Sequence, residues 1–150
     1  VVSEIIDSFE DGSYTCATLL DLSKAFDTVS HDILIHKLEY YGITGTELLL
    51  IGSYLKGRKQ IVRLENEVSD SLYVITGVPQ GSVIGPFLFL VYVNDLPIYL
   101  PQTTVMYADD TTLITKDKNL NILNSKNKQM LDVTATWMYH NKLMLNDKKN

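Results

Sequence analysis

The chain of 150 residues has few of the groups that stabilise small secreted or metal-dependent domains. It contains one cysteine, Cys16, and three histidines. A single thiol excludes an internal disulfide, and so few sulfur and imidazole ligands argue against a structural zinc site. Stability therefore has to come from an apolar core, which a chain of this length is large enough to build.

Positive charge is also scarce. The chain has 13 basic and 18 acidic side chains, and its formal net charge is -5. This balance argues against a simple basic module that binds nucleic acid through charge alone. With 45% apolar and 21% charged residues, the composition is typical of a folded domain rather than a disordered tail. The length favours one domain.

No apolar run is long enough to cross a membrane. Residues 71–94 carry no charged side chain, but glycines and prolines interrupt the first half, and the unbroken apolar run is only Phe87–Val93. A spanning helix needs about 20 apolar residues. The segment therefore predicts a buried core helix, and we expect no membrane partner.

The two ends of the chain carry no targeting signal. The first residue is Val1, no basic and then apolar signal-peptide pattern follows it, and residues 147–150 close no predicted element. We therefore expect the chain to be part of a longer polypeptide.

Hydrophobic periodicity predicts an α+β fold, with helices packed on one face of an antiparallel sheet. Predicted strands cover residues 14–22, 60–65, 72–76, 104–108 and 111–115, and another begins at residue 142. Predicted helices cover residues 31–41, 44–55, 85–94 and 119–140.

Two adjacent aspartates, Asp109 and Asp110, stand between two β-rich segments. Two-residue hairpin loops normally contain Asn-Gly or Asp-Gly, so two carboxylates there are poor turn chemistry and repel each other. A local rule broken without structural gain points to function. Mg²⁺ would remove the conflict because it binds carboxylate oxygens. The alternative is an ordinary acidic surface turn.

A third carboxylate, Asp21, ends an apolar strand, where an unpaired charge is costly. If this strand lies beside the hairpin, Asp21, Asp109 and Asp110 converge at one sheet edge. Three carboxylates can hold two Mg²⁺ ions about 3.5–4 Å apart, and Mn²⁺ is the other candidate ion. Alternatively, Asp21 caps the following turn. Asp27 and Asp32 are interpreted as structural caps.

A loop at residues 77–82, Gly-Val-Pro-Gln-Gly-Ser, precedes the predicted core helix. Its two glycines leave little side-chain bulk, so the backbone can approach a base or sugar closely. Gln80 offers both a donor and an acceptor. The alternative is a plain connection between a strand and a helix.

These segments, in this order, resemble the successive motifs of a reverse transcriptase, in particular the enzyme of non-LTR (LINE-type) retrotransposons. The matching segments are DLSKAFD at 21–27, GVPQGSVIGP at 77–86 and YADD at 107–110, with further similarity at 90–97 and 137–149. The resemblance implies one reverse transcriptase domain over 1–150, a polymerase palm with a partial fingers insertion at about 42–76. The thumb and the N-terminal fingers are expected outside the chain.

The resemblance also implies roles for single residues. Asp21, Asp109 and Asp110 are similar to the metal-binding catalytic aspartates. Lys149 corresponds to a lysine that can donate a proton to the leaving pyrophosphate, although Asn150 stands where a threonine is expected.

Three further residues are implied in nucleotide binding. Phe26 lies where the family keeps an aromatic steric gate, whose ring fills the space of a ribose 2′-OH. From its residue type alone, Phe26 is interpreted as a buried core aromatic. Gln80 and Gly81 fall where the family touches the incoming nucleotide and the template.

Four of the 13 basic residues fall within eight positions: Lys56, Arg58, Lys59 and Arg63. They can bind nucleic-acid phosphates, or they form a solvated basic surface.

The resemblance implies an RNA-directed DNA polymerase that adds deoxynucleotides to a DNA primer 3′-OH on an RNA template. The sequence gives no localisation signal, and the resemblance is compatible with an intracellular, nuclear location. The alternatives are a catalytically silent remnant, a nucleic-acid-binding fragment, or an intron-encoded or telomerase-type relative. A pure binder has no need of three carboxylates facing phosphates, because like charges repel. Without a thumb, the isolated 150 residues are expected to polymerise poorly.

Overall fold

The computed structural model describes residues 2–146. The chain divides into two compact units: unit 1 combines Val1–Ala25 with Val93–Asn150, and unit 2 is Phe26–Tyr92. The helices are α1 (Val2–Asp11), α2 (Ala25–Thr28), α3 (His31–Tyr40), α4 (Gly45–Leu55), α5 (Gly85–Val93), α6 (Leu96–Tyr99) and α7 (Leu120–His140). The strands are β1 (Tyr14–Leu20), β2 (Lys59–Gln60), β3 (Arg63–Leu64), β4 (Glu67–Val68), β5 (Leu72–Tyr73), β6 (Thr103–Tyr107) and β7 (Asp110–Asp117).

Unit 1 is built on a three-stranded antiparallel sheet in the order β1-β7-β6. In the central strand, Thr111, Leu113, Ile114 and Thr115 are buried. Successive side chains point to opposite faces of a sheet, so both faces of the strand are covered at Leu113–Thr115. Helix α7 packs against β7 and β1. The mixture of helices and antiparallel strands confirms the predicted α+β class.

Helix α7 presents one apolar stripe to the core. Leu123, Met130 and Trp137 are buried and lie seven residues apart, which is two helical turns and therefore one face. Leu120, at the start of the predicted stripe, is 54% exposed. Asn119 begins the helix as its N-cap, since its side chain accepts hydrogen bonds from the N–H groups of residues 121 and 122.

An ion pair joins the end of β7 to α7. Lys126 Nζ lies 2.8 Å from Asp117 Oδ2, and Asp117 Oδ1 accepts a hydrogen bond from the Asn119 N–H at 2.8 Å. The side-chain hydrogen bond from Lys126, followed by the one from the Asn119 backbone, lowers the pKa of Asp117 below its ordinary value of 3.8.

Unit 2 contains α3, α4, two short ribbons and the part of α5 up to Tyr92. Its apolar core consists of Val29, Leu34, Leu38, Leu55, Val78, Leu88, Phe89 and Tyr92. Helix α5, predicted to be a buried core helix, is buried on one side only, because Phe87 and Leu90 are 50% and 51% exposed.

The predicted strand pair at 60–65 and 72–76 forms only in part. β2 pairs with β5 and β3 pairs with β4, each over two residue pairs. Glu65 has φ 51°, so the chain turns back between β3 and β4 and splits the predicted pair into two ladders. No side chain from residue 56 to residue 73 is buried.

Three helices were not predicted: α1, α2 and α6. The strand expected from residue 142 is reduced to a single bridge between Leu22 and Leu145. Within residues 2–146, every helix is too short or too polar to cross a membrane.

Candidate active site

The sheet of unit 1 brings together the strand ends that carry Asp21 and Asp110. The last residue pair between β1 and β7 is Leu20 with Thr111. Asp21 is the next residue after β1, and Asp110 is the first residue of β7. Because opposed Cα atoms in antiparallel strands lie about 4.5–5.5 Å apart, the two aspartates emerge at the same end of the sheet. The predicted pairing of these two strands is confirmed.

The β6–β7 hairpin differs from its sequence prediction. Tyr107 pairs with Asp110, so the two-residue loop is Ala108 and Asp109 rather than the two aspartates. That prediction was wrong because β7 starts one residue earlier than its threonine-rich run indicated. Ala108 has φ 53°, a left-handed conformation that costs a non-glycine residue about 1–2 kcal/mol. Such strain is often retained at functional sites.

Asp109 and Asp110 have no neutralising side chain within the described part of the chain. Asp109 is half-buried and Asp110 is exposed. Neither carboxylate forms an ion pair or a side-chain hydrogen bond with any residue from 2 to 146. Two adjacent carboxylates without a basic partner suit a hard divalent cation, which binds oxygen ligands.

Asp21 is held differently. It is half-buried, and Asn146 contacts it twice: the Asn146 N–H donates to the Asp21 carbonyl at 2.9 Å, and the Asn146 Nδ2 donates to Asp21 Oδ2 at 2.8 Å. The sequence did not predict Asn146 as a site residue, although Asn146 lies in the same motif-like segment as Lys149.

The convergence of all three carboxylates stays a prediction. Among residues 2–146, no group of three or more histidine, cysteine, aspartate or glutamate side chains is close enough to hold a metal ion. The carboxylate donors are of the right chemical kind for Mg²⁺ or Mn²⁺. The residues thus fit the ion in donor type, and the pairing of β1 with β7 aligns two of the three positions.

In unit 2, Phe26 stacks on a core aromatic. Its ring centroid lies 4.6 Å from that of Phe89, with 27° between the planes. Phe89 is buried, whereas Phe26 is half-buried. Phe26 is therefore anchored on one side and partly accessible on another, an arrangement compatible with both the gate and the core interpretation.

The loop at residues 77–82 is attached to the segment that follows Phe26. The Gly77 N–H donates to the Val29 carbonyl at 2.7 Å, and the Val78 N–H donates to the Phe26 carbonyl at 2.8 Å. Gly77 has φ +87°, and a Cβ there would lie 2.8 Å from the Asp27 carbonyl oxygen. Only glycine tolerates this conformation and this close approach.

Asp27 orients the side chain of Gln80. Gln80 Nε2 donates to Asp27 Oδ1 at 2.9 Å, and the contact is exposed. The carboxylate of Asp27, which the sequence indicates is a structural cap, accepts this hydrogen bond. Gly81 follows with φ +76° and open space at its Cβ position.

The four predicted phosphate-binding residues are exposed: Lys56, Arg58, Lys59 and Arg63. Two of them lie over aromatic rings of the same unit. The Arg58 guanidinium is 5.5 Å from the Tyr54 ring centroid, and Lys59 Nζ is 4.8 Å from that of Tyr73. Cation–aromatic contacts of this kind hold long basic side chains in place without neutralising their charge.

Lys149, the predicted proton donor, lies outside the described residues. A groove of about 430 Å³ is bounded by Asp95, Tyr99, Asp132, Val133, Thr136, Trp137, His140 and Asn141. It includes none of the predicted site residues.

Comparison with known proteins agrees with the ordered motifs. Residues 3–150 match the family described as reverse transcriptase (RNA-dependent DNA polymerase). The chain is 31% identical, over 99% of its length, to the RNA-directed DNA polymerase from mobile element jockey of Drosophila melanogaster, and spans 17% of that protein. It is also 31% identical, over 91% of its length, to the jockey polymerase of Drosophila funebris, and spans 16% of that relative.

A relative of lower identity belongs to a different retrotransposable element. The chain is 27% identical, over 71% of its length, to the retrovirus-related Pol polyprotein from type-1 retrotransposable element R2 of Popillia japonica, and spans 20% of it. The motifs, the paired aspartate strands and the match over residues 3–150 lead to one conclusion: the chain belongs to the reverse transcriptase (RNA-dependent DNA polymerase) family.

Proposed function

We propose that the chain is the palm, with a partial fingers insertion at about 42–76, of a non-LTR retrotransposon RNA-directed DNA polymerase. The single observation that carries this proposal is the pairing of β1 with β7, which aligns Asp21 with the YADD hairpin at the end of one sheet. Because the chain spans only 17% of the jockey relative, we propose that the thumb and the N-terminal fingers belong to other parts of the polypeptide.

The proposed reaction is nucleotidyl transfer. The primer 3′-oxygen forms a bond to the α-phosphorus of a deoxynucleoside triphosphate, the bond between that phosphorus and the bridging oxygen breaks, and pyrophosphate leaves. Catalysis of phosphoryl transfer depends mainly on positioning and charge stabilisation. In this proposal Asp21, Asp109 and Asp110 would hold two Mg²⁺ or Mn²⁺ ions, which supply positive charge to the attacking and leaving oxygens.

The nucleotide-binding roles are proposed from unit 2 by itself. Phe26, anchored on Phe89, would exclude a ribose 2′-OH. Gln80, held by Asp27 at 2.9 Å, would present its amide to the nucleotide or template, and Gly81 would leave its backbone open to close approach.

The remaining proposed roles are proton donation and phosphate binding. Lys149 would donate a proton to the leaving pyrophosphate, as its place in the motif implies. Lys56, Arg58, Lys59 and Arg63 would bind phosphates of the RNA template and the DNA primer. All four are exposed, and none forms an ion pair with another residue in the range 2–146.

The deciding experiment is Asp109→Asn in an intact polymerase that carries this domain. The amide keeps the size of the side chain but removes the charge that a cation requires. Primer extension on an RNA template should fall by a factor of about 10²–10³, with the thermal unfolding temperature unchanged.

Asp132→Asn is the matched control. Asp132 is an exposed carboxylate of α7 in the same unit, so the same change of charge there should leave extension at the wild-type rate. Normal synthesis by Asp109→Asn would mean that Asp109 is only a turn residue.

One observation favours a second function, a nucleic-acid-binding remnant without catalysis. No three-carboxylate group is assembled among residues 2–146, whereas the basic side chains at 56–63 are already exposed. A polymerase that binds a primer–template duplex but extends it no faster than Asp109→Asn would support this alternative.

A further inference from the structure

A short segment after α7 is fixed beside the end of β1. The chain leaves the helix through Lys142, which has φ 53°, and buries Leu143, whose N–H donates to the Met138 carbonyl at 2.9 Å. This turn directs residues 144–146 to the strand end. The path of the segment is therefore determined by the C-terminus of α7.

Two backbone hydrogen bonds then align the segment with residues 21–23 in an antiparallel manner. The Ser23 N–H donates to the Met144 carbonyl at 2.8 Å, and the Asn146 N–H donates to the Asp21 carbonyl at 2.9 Å. Between them, Leu22 forms a β-bridge with Leu145. The side chain of Leu22 is buried. The hydrogen bonds and this buried side chain together hold residues 21–23 and 144–146 beside each other at the end of β1.

The side chain of Asn146 uses this fixed backbone to hold a carboxylate. Its Nδ2 donates to Asp21 Oδ2 at 2.8 Å. A carboxylate has two oxygens with about four acceptor positions, so the Asn146 amide occupies one of them and fixes the orientation of the group. Because the amide is neutral, it does not compete with a cation for the negative charge, as a lysine would.

We propose that Asn146 is a positioning residue that holds the Asp21 carboxylate in the orientation a divalent cation needs. The inference rests on the proposed function, in which Asp21 is a ligand. Groups that orient a metal ligand commonly change metal affinity about 10–100-fold when removed. Asn146→Ala should therefore weaken Asp21-dependent cation binding at least about tenfold, whereas Asn146→Gln, which keeps an amide donor, should recover part of the loss.

The test measures Mn²⁺ binding to the intact polymerase, without nucleotide or primer, from the electron paramagnetic resonance signal of free Mn²⁺. The variants are Asp21→Asn, Asn146→Ala, Asn146→Gln and the double variant of Asp21→Asn with Asn146→Ala. Asn124→Ala, an exposed asparagine on α7, is the matched control. Thermal unfolding of every variant is recorded alongside.

Primer extension provides a second readout. In Asn146→Ala, the Mg²⁺ concentration for half-maximal extension should rise about tenfold, and the rate at saturating Mg²⁺ should return close to the wild-type value. A merely structural role would lower the rate at every Mg²⁺ concentration and lower the unfolding temperature with it.

The outcomes separate the inference from the function on which it rests. Support requires that Asn146→Ala and Asp21→Asn both weaken Mn²⁺ binding and that the double variant binds as Asp21→Asn alone does. Wild-type binding by Asn146→Ala, together with loss in Asp21→Asn, overturns the positioning role and leaves the proposed function standing. Wild-type binding by Asp21→Asn overturns both. If Asn146→Ala unfolds, failure of Asn146→Gln to bind better than the double variant also overturns the inference.

Discussion

The β-sheet of unit 1 and the ribbon segment of unit 2, residues 56–73, are both antiparallel but differ in what supports them. The central strand of the sheet is paired on both sides, and Leu113 and Thr115 are fully buried. The ribbon segment consists of two ladders of two pairs each, and every one of its side chains is exposed.

Under the proposed function, this difference separates two tasks of a polymerase. Chemistry at phosphorus requires carboxylates held in fixed positions, and the proposal assigns that task to the packed sheet, at the ends of β1 and β7. Binding to a phosphate backbone is a sum of electrostatic contacts that tolerates variable geometry. Isolated two-stranded ribbons have little stability of their own. The ribbon segment also exposes apolar residues such as Ile61, Val62 and Leu64, which makes it suited to contact with another surface.

The largest expected difference between the two regions is in stability. Leu113→Ala should lower the free energy of unfolding by about 2–5 kcal/mol, because Leu113 is 0% exposed and pairs with Thr18 and Thr104 on its two neighbours. Leu64→Ala in the ribbon segment, where the side chain is 74% exposed, should change it by no more than about 0.5 kcal/mol. Urea unfolding measures both, and equal effects would mean that the ribbon segment is packed as tightly as the sheet.

The β-sheet of unit 1 and the helix packed on it were also predicted well from the sequence. Residues 111–115 were predicted as a strand and β7 covers Asp110–Asp117; residues 119–140 were predicted as a helix and α7 covers Leu120–His140. Alternating and seven-residue apolar spacings are local consequences of burial, so they are readable where a segment packs against a core. A metal-binding role for Asp21, Asp109 and Asp110 was inferred from their residue types and places, whereas the roles of Phe26, Gly81 and Lys149 were implied only by the ordered motifs.

Two of the errors occur where distant parts of the chain decide the structure. Asp110 belongs to β7, outside the hairpin loop, because pairing continues for one more residue than local propensity indicated. The contact between Asn146 and Asp21 joins residues 125 positions apart, and no local pattern contains it. In the ribbon segment no side chain is buried, so the sequence there carries no periodic burial pattern from which to predict strands. A turn at Glu65 divides the predicted pair of strands.

A smaller effect is expected from charges on the ribbon segment. The double variant Arg58→Gln with Lys59→Gln should weaken binding of an RNA–DNA duplex and reduce the slope of log K against log salt. Each lost phosphate contact is worth about 0.7–0.9 in that slope, so the pair should reduce it by about 1.4–1.8. Fluorescence anisotropy at several salt concentrations measures this.

Lys118→Gln with Lys128→Gln is the matched control for this charge change, because both lysines are exposed in unit 1. If both double variants reduce the slope equally, the basic residues at 56–63 are only a solvated surface. If only the ribbon variant does so, the two regions divide chemistry and binding as proposed.

The smallest expected effect concerns the ion pair at the end of the sheet. Hydrogen bonds from Lys126 and the Asn119 backbone lower the pKa of Asp117 below 3.8. A carboxylate with a lowered folded-state pKa stabilises the fold above its unfolded value, and this stability is lost as pH falls through the folded-state pKa. Lys126→Gln should remove part of this loss, so the wild type should lose more stability than the variant between about pH 5 and pH 2. The difference should be small, since surface ion pairs contribute little to the free energy of unfolding.

Urea unfolding across this pH range measures the difference in stability between wild type and Lys126→Gln. Lys59→Gln is the control, because Lys59 forms a cation–aromatic contact and, among residues 2–146, no ion pair. Parallel pH profiles for wild type and Lys126→Gln would show that the pair adds nothing to the sheet, and the contrast with the ribbon segment would then rest on apolar packing alone.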